Sequence, residues 1–167
     1  FRFTVKCHRD VTHIHKLRPT SEALRALKRI LEICRILRAD VLVLQTPPSF
    51  TWSMEHLSEI RETLSLCVES GFTVAWEART PGGQVPLEAF ELMEELDIVP
   101  IVDLSRYEAP PGDILYSRIF SGLEPLDDEA LRVIEARVKG STARRAYLTF
   151  HGARMYQDAA RFMENYL

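Results

Sequence analysis

Seven polar or charged residues stand where apolar stretches of this chain end: Lys6, Gln45, Glu77, Arg79, Asp103, Arg118 and His151. Period-two alternation puts Arg2, Thr4 and Lys6 on one face of an extended segment. It does the same for Val43 with Gln45, for Ala75 with Glu77 and Arg79, for Ile101 with Asp103, and for Tyr116 with Arg118. Lys6, Arg79 and Arg118 are cations suited to holding an anionic oxygen or a phosphate. Glu77 can act as a general base. Glu77, Asp103 and His151 together have the hard-ligand mix of a divalent metal site, although no compact H-x-E motif supports it. A plainer reading stands beside these. Strand exits are often polar because they run into solvated loops, and Glu77 with Arg79 can be a structural ion pair.

The elements that must position these residues follow from hydrophobic patterning. Val41-Leu42-Val43-Leu44 is an uninterrupted apolar run that ends in Gln45 and two prolines, the mark of a strand covered on both faces in a parallel sheet. Further strands are expected at 1–6, 72–77, 98–102, 114–119 and 146–150. Pro100 removes one ladder donor and implies an edge, bulge or strand-start position.

Between the strands lie helical stripes. Thr20 caps the first, which carries Leu24, Leu27, Ile30, Leu31, Cys34 and Leu37. Ser53 caps the second, with Leu57, Ile60, Leu64, Cys67 and Val68 inward and Gly71 at its C′ position. Pro86 opens the third, where Leu87, Phe90, Met93 and Leu92 or Leu96 face inward. Asp127 caps the fourth (Leu131, Ile134, Val138), and a final helix turns Ala159, Phe162, Met163 and Tyr166 inward. Residues 104–113 show no helical stripe, the one short joint in a regular alternation. Strands alternating with helices indicate a parallel α/β sheet, in which ligands bind at the carboxyl ends of the strands.

With 167 residues, a net charge of −3 and a pI near 6.0, one domain of ordinary size is expected. The slightly acidic balance argues against a basic nucleic-acid-binding module, though not against a local basic groove. No apolar run approaches the ~18 residues that span a bilayer, so no membrane partner is expected. Cys7, Cys34 and Cys67 have neither zinc spacing nor disulfide-scaffold density. Cys34 and Cys67 fall on helix stripes as small core residues, and a reducing cytoplasm is the expected compartment. The chain opens without Met inside a strand, which points to a natural protein that continues on the amino-terminal side.

Several of these residues form a recognisable series. Phe-Arg-Phe-Thr-Val-Lys (1–6), Thr12-His13, Gln45-Thr46-Pro47-Pro48-Ser49-Phe50, Glu77-Ala78-Arg79, Tyr116-Ser117-Arg118 and Tyr147-Leu148-Thr149-Phe150 resemble the DUF72 (YecE-like) family, in order and over nearly the whole chain. The resemblance implies an α/β fold of TIM-type (β/α) barrel, present here as six of eight strands, without the family's amino-terminal βα units. It implies no particular reaction. Three positions depart from the family pattern: a Thr80-Pro81-Gly82-Gly83 turn replaces a Trp, Phe120-Ser121-Gly122 replaces a His-Gly pair, and His151 stands where the family has Asn. In a barrel the shared-parity face points inward, and a charged ring there is costly to desolvate without a purpose.

The loop 7–15 holds His8, His13 and His15. His13 is favoured for the site because it belongs to the family's Thr-His pair. Trp52 and Tyr107 could stack on a sugar or base, with loop packing the plainer reading. Two functions result. One is an enzyme of hydrolase or isomerase type on a phosphorylated sugar or nucleic-acid backbone. In it Lys6, Gln45, Arg79, Arg118 and His151 bind substrate, Glu77, His13 and Asp103 carry the chemistry, and a divalent metal is a candidate cofactor. The other is a non-catalytic module that binds an anionic ligand or partner with the same residues.

Overall fold

A computed structural model describes residues 2–52, 54–81 and 85–166. The expected cap at Ser53 and the Gly82-Gly83 part of the turn lie outside them. The chain forms two compact units, Phe1–Pro100 and Ile101–Leu167.

The first unit runs β1 (Thr4–Lys6), α1 (Ser21–Leu37), β2 (Val41–Gln45), α2 (Leu57–Val68), β3 (Thr73–Glu77), α3 (Leu87–Glu95) and the opening half of β4 (Val99–Val102). Each strand pairs in parallel with the next in sequence. All five residues of β2 are buried, as its unbroken apolar run requires. Val5, Leu42, Leu44, Val74 and Trp76 share one parity. They pack with Leu27 and Cys34 of α1, Ile60, Leu64 and Cys67 of α2, and Ala89, Leu92 and Met93 of α3. The opposite parity carries Thr4, Lys6, Val43, Gln45, Ala75 and Glu77.

Local signals account for most boundaries. Thr20 Oγ1 accepts from Ala23 N at 3.2 Å and caps α1. Gly71, two residues beyond the cap of α2, has φ +83°, a left-handed conformation that costs glycine little. Cys34 and Cys67 are core residues as expected, and Cys7 joins them. Burial pushes the Cys7 thiol up to about 12 and that of Cys67 higher still, so neither thiolate forms at neutral pH.

Three expectations need correcting. Leu37, at the end of α1, is 39 % exposed. In α3, Leu87 and Phe90 are exposed, while Ala89, Leu92 and Met93 face the core. Two apolar stripes coexist on that short helix, and the one through Ala89, Leu92 and Met93 is buried in the core. Pro86 is the residue before α3 rather than part of its first turn.

In the second unit the rest of β4 pairs with β5 (Ile114–Phe120), and β5 with β6 (Arg145–His151), again in parallel. Pro100 stands where β4 stops pairing with β3 at Trp76; pairing with β5 begins at Ile101. No helix fills the connection between β4 and β5. α4 (Asp128–Gly140) starts at Asp127, whose carboxylate accepts from Ala130 N at 2.8 Å, and α5 (Met155–Tyr166) closes the order. The core holds Leu104, Leu115, Ile119, Leu131, Ile134 and Phe162. Met163, expected inward, is 68 % exposed.

Throughout, neighbouring strands are successive strands. That is the winding of a TIM-type barrel, with six of its eight strands, and it lacks the order reversal of a doubly wound sheet. Among the described residues no helix is long and apolar enough to cross a membrane.

Candidate functional site

Lys6, Gln45 and Glu77 are the last residues of β1, β2 and β3. Gln45 is the register partner of Glu77, and Lys6 is that of Val43, two residues short of Gln45. The length of the lysine side chain closes that gap: Lys6 Nζ donates to Gln45 Oε1 at 2.5 Å. Gln45 Nε2 donates in turn to Glu77 Oε2 at 2.5 Å, and Arg79 Nε lies 3.7 Å from Glu77 Oε1. An ammonium at one end and a carboxylate at the other fix which way the Gln45 amide points. Gln45 is 4 % exposed, so the amide carries this polarisation out of water, where it is strongest. Lys6 is exposed and the Arg79 side chain is 35 % exposed, so both cations remain reachable by solute.

Thr46, fully buried, sets where the β3 exit lies. Its N–H and its hydroxyl each donate to the Glu77 carbonyl at 3.2 Å, and its Oγ1 accepts from Arg79 N at 3.1 Å. The hydroxyl thus continues the ladder by one residue after Pro47 has ended β2. Thr46 has the opposite parity to the site residues, and parity alone passes it over; the Gln-Thr-Pro-Pro sequence was the available signal.

The connection after β1 holds a π-helical turn, Asp10–Ile14, which carries His13. π turns recur at functional sites. Two non-glycine residues with positive φ follow it, Lys16 (51°) and Leu17 (63°), and Leu17 is fully buried. Paired left-handed residues are strained and persist only where the surroundings hold them. Lys16 Nζ donates to Ser49 O at 3.0 Å, which ties this connection to the one after β2. His13 Nδ1 lies 2.8 Å from Thr12 Oγ1. Burial, and after it the charges of Lys6, Arg79 and Arg9, lower the His13 pKa below its ordinary value, so the ring is neutral at neutral pH. Arg9 was not among the expected residues.

Asp103, Arg118 and His151 belong to the second unit. Asp103 Oδ1 accepts from Ser105 N at 2.9 Å and Ser105 Oγ at 2.7 Å, and Oδ2 accepts from Phe120 N at 3.4 Å with Arg106 Nε at 3.5 Å. Those bonds fix the loop after β4. The Arg118 guanidinium lies 4.4 Å from the centre of the Phe120 ring, and His151 meets the same ring edge-on at 5.2 Å. Tyr116 and Tyr147 stack at 5.8 Å on that strand face. Among the described residues no group of three or more His, Cys, Asp or Glu is placed to hold a metal ion.

The remaining candidates are spread out. His8 is largely exposed beside Asp10, and Tyr107 is 59 % exposed. Trp52 packs with Phe50 and Trp76, as loop packing predicts. A groove of about 380 Å³ between the β4–β5 connection and α4 is lined by Glu108, Ala109, Val133, Ala136, Arg137 and Gly140. It contains none of the expected site residues.

Parallel strands wound in sequence order, with Lys, Gln, Glu and Arg linked at their carboxyl ends, define a TIM-type α/β protein with a polar strand-end cluster. The chain belongs to the DUF72 family: the family described as "Protein of unknown function DUF72" matches residues 1–166, in agreement with the motif series. No curated protein and no solved structure matches the chain.

Proposed function

We propose that the chain is an enzyme acting on a phosphorylated sugar or a nucleic-acid-type anionic substrate, with its working residues at the strand ends of the first unit. The observation that carries this reading is the placement of Lys6 and Arg79 at the two ends of the Lys6–Gln45–Glu77–Arg79 chain. Together with Arg9 they act on one neutral histidine. Two reachable cations beside a neutral imidazole suit an anion that needs a proton moved. His13 is the group that moves it. Glu77 has one carboxylate oxygen on Gln45 and the other facing Arg79, so its part is to hold both in place. Reaction of hydrolase or isomerase type fits this equipment.

The engagement of Glu77 also favours a second reading, a non-catalytic module for an anionic ligand. Incubation with a metabolite extract separates the two. An enzyme depletes a phosphorylated species and its H13Q variant does not, whereas a binding module retains the species unchanged.

Anion binding itself is tested by calorimetric titration with phosphate, beside a thermal melt. Arg79→Met should weaken phosphate binding by about 10–100-fold, the order of a lost charged hydrogen bond, and move Tm by less than about 2 °C. Unchanged binding with a large fall in Tm would make Arg79 a structural residue and remove it from the site.

A further inference from the structure

We propose that Thr12 is a positioning residue that fixes the tautomer of His13, keeping the proton on Nδ1 and leaving Nε2 as the proton acceptor of the site. The inference rests on the reading of His13 as the group that moves a proton. Thr12 is fully buried in the π-helical turn, and its Oγ1 lies 2.8 Å from His13 Nδ1. A hydroxyl has one proton to give and lone pairs to receive with. Inside a helical turn threonine gives that proton back to the carbonyl four residues earlier, and here Thr12 Oγ1 donates to His8 O at 3.4 Å. The 2.8 Å contact allows either direction; with the hydroxyl proton directed to His8 O, Oγ1 meets the ring with a lone pair and Nδ1 carries the hydrogen. The same contact survives protonation, because an imidazolium donates from both nitrogens. Among the described residues Nε2 has no hydrogen-bond partner, so the ring presents an uncommitted lone pair.

The arrangement follows the general pattern in which a base is oriented by a third group that does not touch the substrate. Here a buried hydroxyl relays to a backbone carbonyl. The left-handed Lys16–Leu17 segment that follows is tied back to the turn, where Leu17 N donates to Val11 O at 2.8 Å.

Nitrogen-15 NMR of the histidine rings tests this without any ligand, at about pH 8, well above the ordinary histidine pKa. The wild-type His13 ring should be in the Nδ1–H form. Thr12→Ser, which keeps the hydroxyl, should retain it, and Thr12→Val should shift the ring toward the Nε2–H form. A wild-type ring in the Nε2–H form overturns the proposal, even if the valine variant does not fold. So does a folded T12V protein whose ring remains Nδ1–H. Because the tautomer is read in the free protein, a failure of phosphate to bind would count against the proposed function alone.

Discussion

Gln45 and Glu77 face each other across the β2–β3 ladder, and the amide of one donates to the carboxylate of the other at 2.5 Å. The side chain of Glu77 is 13 % exposed, so this bond sits mostly out of water. It also decides what Glu77 can do. A carboxylate bonded by a buried amide on one oxygen and faced by a guanidinium on the other is held in one orientation, which suits an anchor better than a base.

Replacing Gln45 by Met keeps the volume and removes both polar ends. Glu77 loses a charge-assisted donor, and Lys6 loses its acceptor. The expected loss is about 1–3 kcal/mol of folding stability, the usual cost of taking one partner from a buried polar group. Urea denaturation of the variant measures it. A change under about 0.5 kcal/mol, the size of an ordinary surface substitution, would mean that water replaces the amide at no loss.

The His13 ring offers a prediction in pH. Its folded pKa lies below the ordinary value of 6.5, through burial first and then through Lys6, Arg79 and Arg9. The unfolded chain therefore binds the proton more readily than the folded one. The contribution of His13 to stability is complete above pH 6.5 and declines as pH falls from there toward the folded value. An NMR titration should place its midpoint below 6.5. Lys6→Met should raise that midpoint, and so should added phosphate, because each reduces the positive charge around the ring. A midpoint that ignores both changes would separate His13 from the strand-end cations.

Gly152 gives a steric prediction. A Cβ at this position would meet Ser121 Oγ and come within 2.5 Å of the Ser121 carbonyl oxygen, where β5 and β6 end side by side. Gly152→Ala should cost about 1–3 kcal/mol, as overpacking usually does. Adding Ser121→Gly removes the hydroxyl clash and leaves the carbonyl one, so a double variant should recover only part of the loss. Thermal melts of the two variants decide it; full recovery would place the strain on the hydroxyl alone.

Much of this architecture was legible in the sequence because it rests on local rules. The Val41–Gln45 run showed a strand buried on both faces, and Thr20 and Asp127 are the helix caps their types suggested. The alternation of strand and helix indicated a parallel α/β sheet, whose barrel-type winding was implied by the family resemblance. Parity, a property of each strand taken alone, put Lys6, Gln45 and Glu77 on one face. Where two local patterns compete, as on α3, period alone cannot choose. The choice of Ala89 and Leu92 over Leu87 and Phe90 was made by what the helix packs against.

Register lies beyond local rules. It depends on how strands from distant parts of the chain slide past one another, and it brought Gln45 opposite Glu77 while leaving Lys6 two residues short. The π turn under His13 and the left-handed Lys16–Leu17 pair were likewise invisible, since no glycine or asparagine marks them. The sequence by itself determined which side chains leave the strands and on which face. The tertiary structure alone decided which of them touch, because a hydrogen bond needs ångström placement that only the packed sheet supplies.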